Sequence, residues 1–143
     1  MLKYPNEKDE SDLELAIQEL FEQGVDSLSL FGVLGQRVDH LLYTLYLISR
    51  YPAKLVIESE NETIFSVLKT EWIHSFPGQT LSLIPLGIVE GVTTKGLKWE
   101  LQNASFGPLY MSLSNVCLQS SFSISFHSGN LLCCLQKENT RIK

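Results

Sequence analysis

Apolar positions in the first fifty residues recur at helical spacing. Leu13, Ala16, Ile17, Leu20 and Phe21 fall at i, i+3, i+4, i+7 and i+8 and make one stripe. Ser11 followed by Glu14 is a capping box, in which each side chain satisfies a free backbone N–H of the first turn. Gly24 suits the left-handed position just past the end of that helix. Residues 28–31 read as a short strand, and a loop with Gly32 and Gly35 follows. Val38, Leu41, Leu42, Leu45 and Ile48 then predict a second helix, ending near Tyr51-Pro52. Residues 54–57 are a strand with β-branched positions, Glu60-Asn61-Glu62 is a turn, and residues 63–68 return as a strand.

The pattern then changes. Pro77-Gly78, Pro85 with Gly87, Gly91, Gly96, Gly107-Pro108 and Ser128-Gly129-Asn130 punctuate short apolar segments, the spacing of a β-sandwich or barrel. No helical period of useful length remains. The expected fold class is α/β followed by all-β: an incomplete α/β unit with a mostly parallel sheet over residues 1–70, joined to a β-sandwich over residues 71–143. Parallel strands need cover on both faces, and this unit supplies few elements for that. Its sheet begins in the middle, with an edge prone to association. Along Gly96-Leu97-Lys98-Trp99-Glu100-Leu101, strand alternation puts Leu97, Trp99 and Leu101 on one face.

Composition narrows the function classes. The 143 residues carry 11 Lys+Arg against 16 Asp+Glu, a net charge of −5. That acidic balance speaks against nucleic-acid binding, which needs a basic footprint. Hydrophobic residues at 44% place the chain among globular domains. No apolar run approaches the ~18 residues of a membrane span, and the first ten residues lack the apolar core of a secretory signal. Cys117, Cys133 and Cys134 have no metal-ligand spacing and read as free thiols of a cytoplasmic protein.

Three clusters are candidates for chemistry, each with a plain structural alternative. Glu7-Lys8-Asp9-Glu10-Ser11-Asp12 leads into the first helix. Carboxylates there complement the helix dipole; alternatively, Lys8 meets phosphate and Asp12 holds Mg²⁺, a hard cation that takes oxygen ligands. Gly32-Val33-Leu34-Gly35-Gln36-Arg37-Val38-Asp39-His40 is either a strand-to-helix turn or an anion site. Glycines permit close backbone approach, and Arg37 offers a planar fork for phosphate. It is no P-loop, because the Gly-Lys-Ser/Thr element is missing. Trp99 is either sandwich core or an aromatic platform for a flat heterocycle. Ser112-Leu113-Ser114-Asn115 is either a polar turn or a reader of a ring edge.

Taken in order, Tyr4-Pro5, Lys8-Asp9-x-Ser11-Asp12, Gly32-x-x-Gly35-x-Arg37-x-Asp39-His40, Ser82-Leu83-Ile84-Pro85-Leu86, Gly96-Leu97-Lys98-Trp99-x-Leu101 and Ser114-Asn115 resemble the thiamine pyrophosphokinases. The resemblance implies a three-layer α/β catalytic domain followed by a thiamine-binding β-sandwich. It implies a homodimer whose sites lie between one subunit's α/β domain and the other's sandwich. The activity it implies is transfer of diphosphate from ATP to thiamine, with Mg²⁺, to give thiamine diphosphate and AMP. By position, Asp12, Arg37 and Asp39 take catalytic places, with Asp12 at the metal. Lys8, Ser11, Gly35 and Arg37 fall on the ATP side, and Trp99, Ser112, Ser114 and Asn115 on the thiamine side. Ser11 stands where the family usually has Thr, and Glu7 where it often has Asp. The family's acidic Gly-Asp-x-Asp-Ser motif, whose aspartates serve Mg²⁺, is missing, so the resemblance is to an N-terminally shortened form. The rival expectation is therefore a non-catalytic thiamine-binding or dimeric scaffold protein.

Overall fold

The computed structural model describes residues 12–35 and 37–137. The first described elements are α1 (Asp12–Glu22), β1 (Leu28–Phe31) and α2 (Val38–Ile48). Strands follow: β2 (Leu55–Glu58), β3 (Glu62–Ser66), β4 (Thr70–His74), β5 (Thr80–Lys95), β6 (Ala104–Phe106), β7 (Ser112–Val116), β8 (Ser121–Ser125) and β9 (Ser128–Gln136). Helix and strand first, then strand alone, is the order expected. Gly24 takes φ +93° at the end of α1, where a left-handed residue closes the last turn. Glu14 is buried; its carboxylate accepts the Tyr43 hydroxyl and, at 2.7 Å, the Arg50 guanidinium, which ties α1 to α2 and the residues just after it. The predicted capping partner Ser11 lies outside the described residues.

One continuous sheet runs in the order β1-β2-β3-β9-β5-β8-β4, with β6 and β7 also pairing β5. The expectation of a mostly parallel sheet is corrected. Among the described strands only β1 and β2 pair in parallel, while β2–β3 and β3–β9 are antiparallel. A tight hairpin is the cause. Ser59 Oγ accepts the N–H groups of Asn61 and Glu62 at 3.3 and 3.0 Å, turning the chain straight back.

The expectation of short strands around Pro85, Gly87 and Gly91 is also corrected, because all three lie inside the 16-residue β5. Its first half pairs β9, its second half pairs β8, and the register shifts between Leu86 and Glu90. Gly87 and Gly91 take φ +84° and +74° at this bend. The glycines therefore redirect a strand from one part of the curled sheet to another instead of ending it.

Strands β3, β9 and β5 face two cores. Phe65, Leu131, Cys133, Leu135, Leu81 and Leu83 meet Ile73 of β4 and Phe122 and Ile124 of β8. The alternate residues Ile64, Leu132, Cys134 and Ile84 join a second cluster with Ile17 of α1, Leu47 and Ile48 of α2, and Leu55 and Ile57 of β2. This is the period-2 alternation of a strand with both faces covered. The adjacent cysteines Cys133 and Cys134 thus belong to different cores, and all three cysteines are free thiols. Burial, with Glu62 alongside, pushes Cys134 up to about 12, so it is no thiolate near neutral pH.

At the other end, β1 closes the order and, among the described strands, pairs only β2. Leu28 and Leu30 pack with the helix-side cluster, whereas Ser29 and Phe31 face away and Phe31 is 72% exposed. No helix among the described residues is long and apolar enough to cross a membrane.

Candidate active site: an aromatic cleft and an ion-paired loop

The two groups of sequence-predicted residues sit on different parts of the fold. The first is built where the chain leaves β5. Gly96 takes φ +97°, which a side chain would strain. Three bonds then hold the bend. Glu100 Oε2 accepts the Gly96 N–H at 2.8 Å, the Lys98 N–H donates to the Val116 carbonyl at 2.8 Å, and the Leu101 N–H donates to Thr94 Oγ1 at 3.0 Å. The expected strand alternation is therefore corrected: residues 98 and 99 form a bend, Leu97 is buried, and Trp99 is 55% exposed. Trp99 is not core. Lys98 Nζ stands 4.7 Å from the centroid of its ring, a cation–π distance.

Trp99 opens on a cleft of about 280 Å³ lined also by Glu100, Tyr110, Ser112, Leu113 and Asn115. Asn115 is buried at 2% exposure. Its Oδ1 accepts the N–H of Trp99 at 3.2 Å and of Val116 at 2.8 Å. Its Nδ2 donates to the Trp99 carbonyl at 2.8 Å and to Ser112 Oγ at 3.3 Å. Ser112 and Asn115 flank a bulge in the β5–β7 pairing, where the register shifts between Leu81 and Leu83. Ser114 occupies the bulge at φ +57°, is exposed, and donates its N–H to Ser82 Oγ at 3.0 Å. It is not among the residues lining the cleft.

Residue order alone does not single out Tyr110. It follows the Gly107-Pro108 turn, and Gly107 and Tyr110 exchange backbone hydrogen bonds. Its ring meets buried Phe106 edge-on at 5.5 Å. An aromatic residue just past a Gly-Pro turn, between Trp99 and Ser112, was the available signal.

The second group lies ahead of α2. Arg37 is the N-cap residue and makes no side-chain cap. Its guanidinium instead grips Asp39 through two bonds, Nε to Oδ1 at 3.1 Å and NH2 to Oδ2 at 2.5 Å. The Asp39 Oδ1 also accepts the His40 N–H at 2.9 Å. The Arg37 hydrogen bond holds the Asp39 carboxyl below its ordinary range and pushes Arg37 up, although both side chains are open to solvent. Gly35 is exposed, and an added Cβ would meet nothing within 4 Å. The fold itself does not require glycine there, unlike Gly32 at φ +77°. Asp12 is exposed in the first turn of α1. Lys8 and Ser11 lie outside the described residues.

Mg²⁺ asks for several oxygen ligands in near-octahedral geometry. Among the described residues no group of three or more His, Cys, Asp or Glu side chains is placed to hold a metal ion. Asp39 is already paired with Arg37, and Asp12, the other carboxylate of the predicted set, stands exposed in the first turn of α1. The described residues do not by themselves fit an Mg²⁺ site.

The two candidate regions, an exposed, backbone-clamped aromatic cleft and a solvent-facing ion-paired loop, lie on different parts of a fold that passes from helix and strand to strand alone, and that combination defines the class of molecule. Comparison with known proteins gives that class a family. Two protein-family models match: "Thiamin pyrophosphokinase, catalytic domain" over residues 1–59 and "Thiamin pyrophosphokinase, vitamin B1 binding domain" over residues 66–131. The crystal structure of thiamin pyrophosphokinase from Geobacillus thermodenitrificans superposes with a TM-score of 0.83 at 28% identity, covering 96% of this chain and 66% of that one. A thiamin pyrophosphokinase family protein from Enterococcus faecalis shares the fold, with a TM-score of 0.83 at 24% identity over 96% of this chain and 68% of that one. Thiamine pyrophosphokinase of Bacillus subtilis (strain 168) is 26% identical over 137 residues, 90% of this chain and 64% of the relative. Thiamine pyrophosphokinase 2 of Arabidopsis thaliana is 31% identical over 109 residues, 70% of this chain and 40% of the relative. The chain belongs to the thiamin pyrophosphokinase family. It spans 64% or less of the length of these curated relatives.

Proposed function

We propose that this chain serves thiamine diphosphate formation, by transfer of diphosphate from ATP to thiamine. One observation carries it. Trp99 stands exposed over a cleft instead of being sealed in the core, within the residues matched by the vitamin B1 binding model. In this reading residues 1–70 belong to a three-layer α/β catalytic domain and residues 71–143 to a thiamine-binding β-sandwich. The thiamine hydroxyl oxygen attacks the β-phosphorus of ATP in line. The bond from that phosphorus to the α-phosphate bridge breaks, AMP leaves, and the hydroxyl gives up its proton.

The chain's own residues position and neutralise. Arg37 exchanges one carboxylate for phosphate oxygens, which suit its planar fork equally well. Asp39, released, orients thiamine or accepts its proton. Gly35 lets phosphate approach the backbone before the N-terminus of α2; Lys8 and Ser11, outside the described residues, keep the ATP role that the family resemblance implies. Asp12 faces the phosphates as the metal-side carboxylate. Trp99 stacks a thiamine ring, and Ser112, Ser114 and Asn115 form the segment beside it. A second copy completes each site, pairing one chain's loop with the other's cleft in a cytoplasmic homodimer.

A second reading, a thiamine-binding or scaffold protein without turnover, is favoured by the paired state of Asp39. Measuring AMP release from ATP with thiamine and Mg²⁺, alongside thiamine binding, separates the two. AMP formation supports the enzyme; binding without AMP supports the second reading; absence of both removes the thiamine assignment.

A further inference from the structure

We propose that Asn115 is a positioning residue that pins Trp99, and that it does not itself touch the ligand. An asparagine amide has two donor hydrogens and two acceptor lone-pair sites. Here all four are taken, by the N–H and carbonyl of Trp99, the Val116 N–H and Ser112 Oγ. At 2% exposure the side chain has neither capacity nor room for a further partner.

Its partners define its action. By holding both backbone groups of residue 99, Asn115 fixes the two peptide planes from which the indole projects. The bend has no regular strand pairing of its own at Trp99, and the indole is 55% exposed. Without the amide, stacking would have to meet the entropy of ordering this bend at the moment of binding. With it, that cost is met on folding.

The fourth bond has a second effect. Asn115 Nδ2 occupies a lone pair of Ser112 Oγ. The Ser112 hydroxyl hydrogen has no acceptor among the described residues, and Ser112 lines the cleft. Ser112 is thereby set to donate to an acceptor on the ligand, such as a nitrogen in a flat heterocycle.

The inference rests on the thiamine reading of the cleft only for its affinity readout. The test uses the full chain carrying Trp72→Phe, which leaves Trp99 as its single tryptophan. In ligand-free protein, Asn115→Ala should raise acrylamide quenching of Trp99 about twofold and lower its anisotropy. Calorimetry should show about a tenfold loss of thiamine affinity in Asn115→Ala, equivalent to ~1.4 kcal/mol. In a Trp99→Ala background the same change should cost nothing further, because coupled residues are not additive. Equal losses in both backgrounds, or unchanged anisotropy, would overturn the proposal. If Asn115→Ala does not fold, Asn115→Asp keeps the Oδ1 acceptor and loses the donor, and should move both readouts in the same direction. If the parent protein binds no thiamine, the reading of the cleft fails, while anisotropy still decides the positioning.

Discussion

The Trp99 cleft and the Arg37–Asp39 loop are both exposed, yet they are organised by opposite means. The cleft is held from below. Buried Asn115 fixes the tryptophan backbone, and buried Phe106 backs Tyr110. The Arg37–Asp39 pair that marks the loop, by contrast, joins residues two apart and stands in solvent. Exposed pairs of this kind contribute little to stability. In the proposed reading one half of the site is therefore preformed, and the other exchanges Asp39 for an anion at Arg37.

That contrast can be broken most forcefully from beneath the cleft. Phe106→Ala should cost about 3–5 kcal/mol in denaturant unfolding, the range for an emptied aromatic core position. Thiamine affinity should fall more than ATP affinity; an equal fall in both would show that the two halves are not independently organised. Trp99→Ala comes next. It should weaken thiamine binding about tenfold or more, as loss of a stacking platform does, with stability changed by less than about 0.5 kcal/mol. A large drop in melting temperature with affinity unchanged would make Trp99 structural after all.

Arg37→Ala should reduce ATP affinity several-fold and leave thiamine binding alone, as titration calorimetry would report. The same variant tests the pair itself. Because Arg37 lowers the Asp39 pKa, the pair's contribution is present above the ordinary carboxylate range and is lost as pH falls through the lowered value. An NMR titration of Asp39 should place its midpoint below that of a free aspartate, and Arg37→Ala should bring it back. The smallest change is Gly35→Ala. With open space at the Cβ position, stability should stay the same while ATP affinity drops; an unchanged affinity would remove the backbone-approach role of Gly35.

Much of this was legible from residue order. Spacing located α1, β1 and α2 because each is a local pattern with its own ends. Glycine and proline were harder. Gly87 and Gly91 looked like strand ends, yet β5 continues through them with positive φ to reach a different partner strand. Local composition cannot report which distant strand will pair. Trp99 obeyed strand alternation on paper but sits in a bend, because Asn115, sixteen positions later, captures its backbone. The place of Tyr110 is hidden in the sequence for the same reason: only the folded chain sets it beside Trp99 and Ser112.

Strand β9 sends alternate side chains into both apolar clusters, and it is the last of the described strands. During synthesis, then, neither cluster can be completed while this segment is still within the ribosome. The nascent chain carries two half-built interiors until β9 emerges, and that one stretch finishes both together.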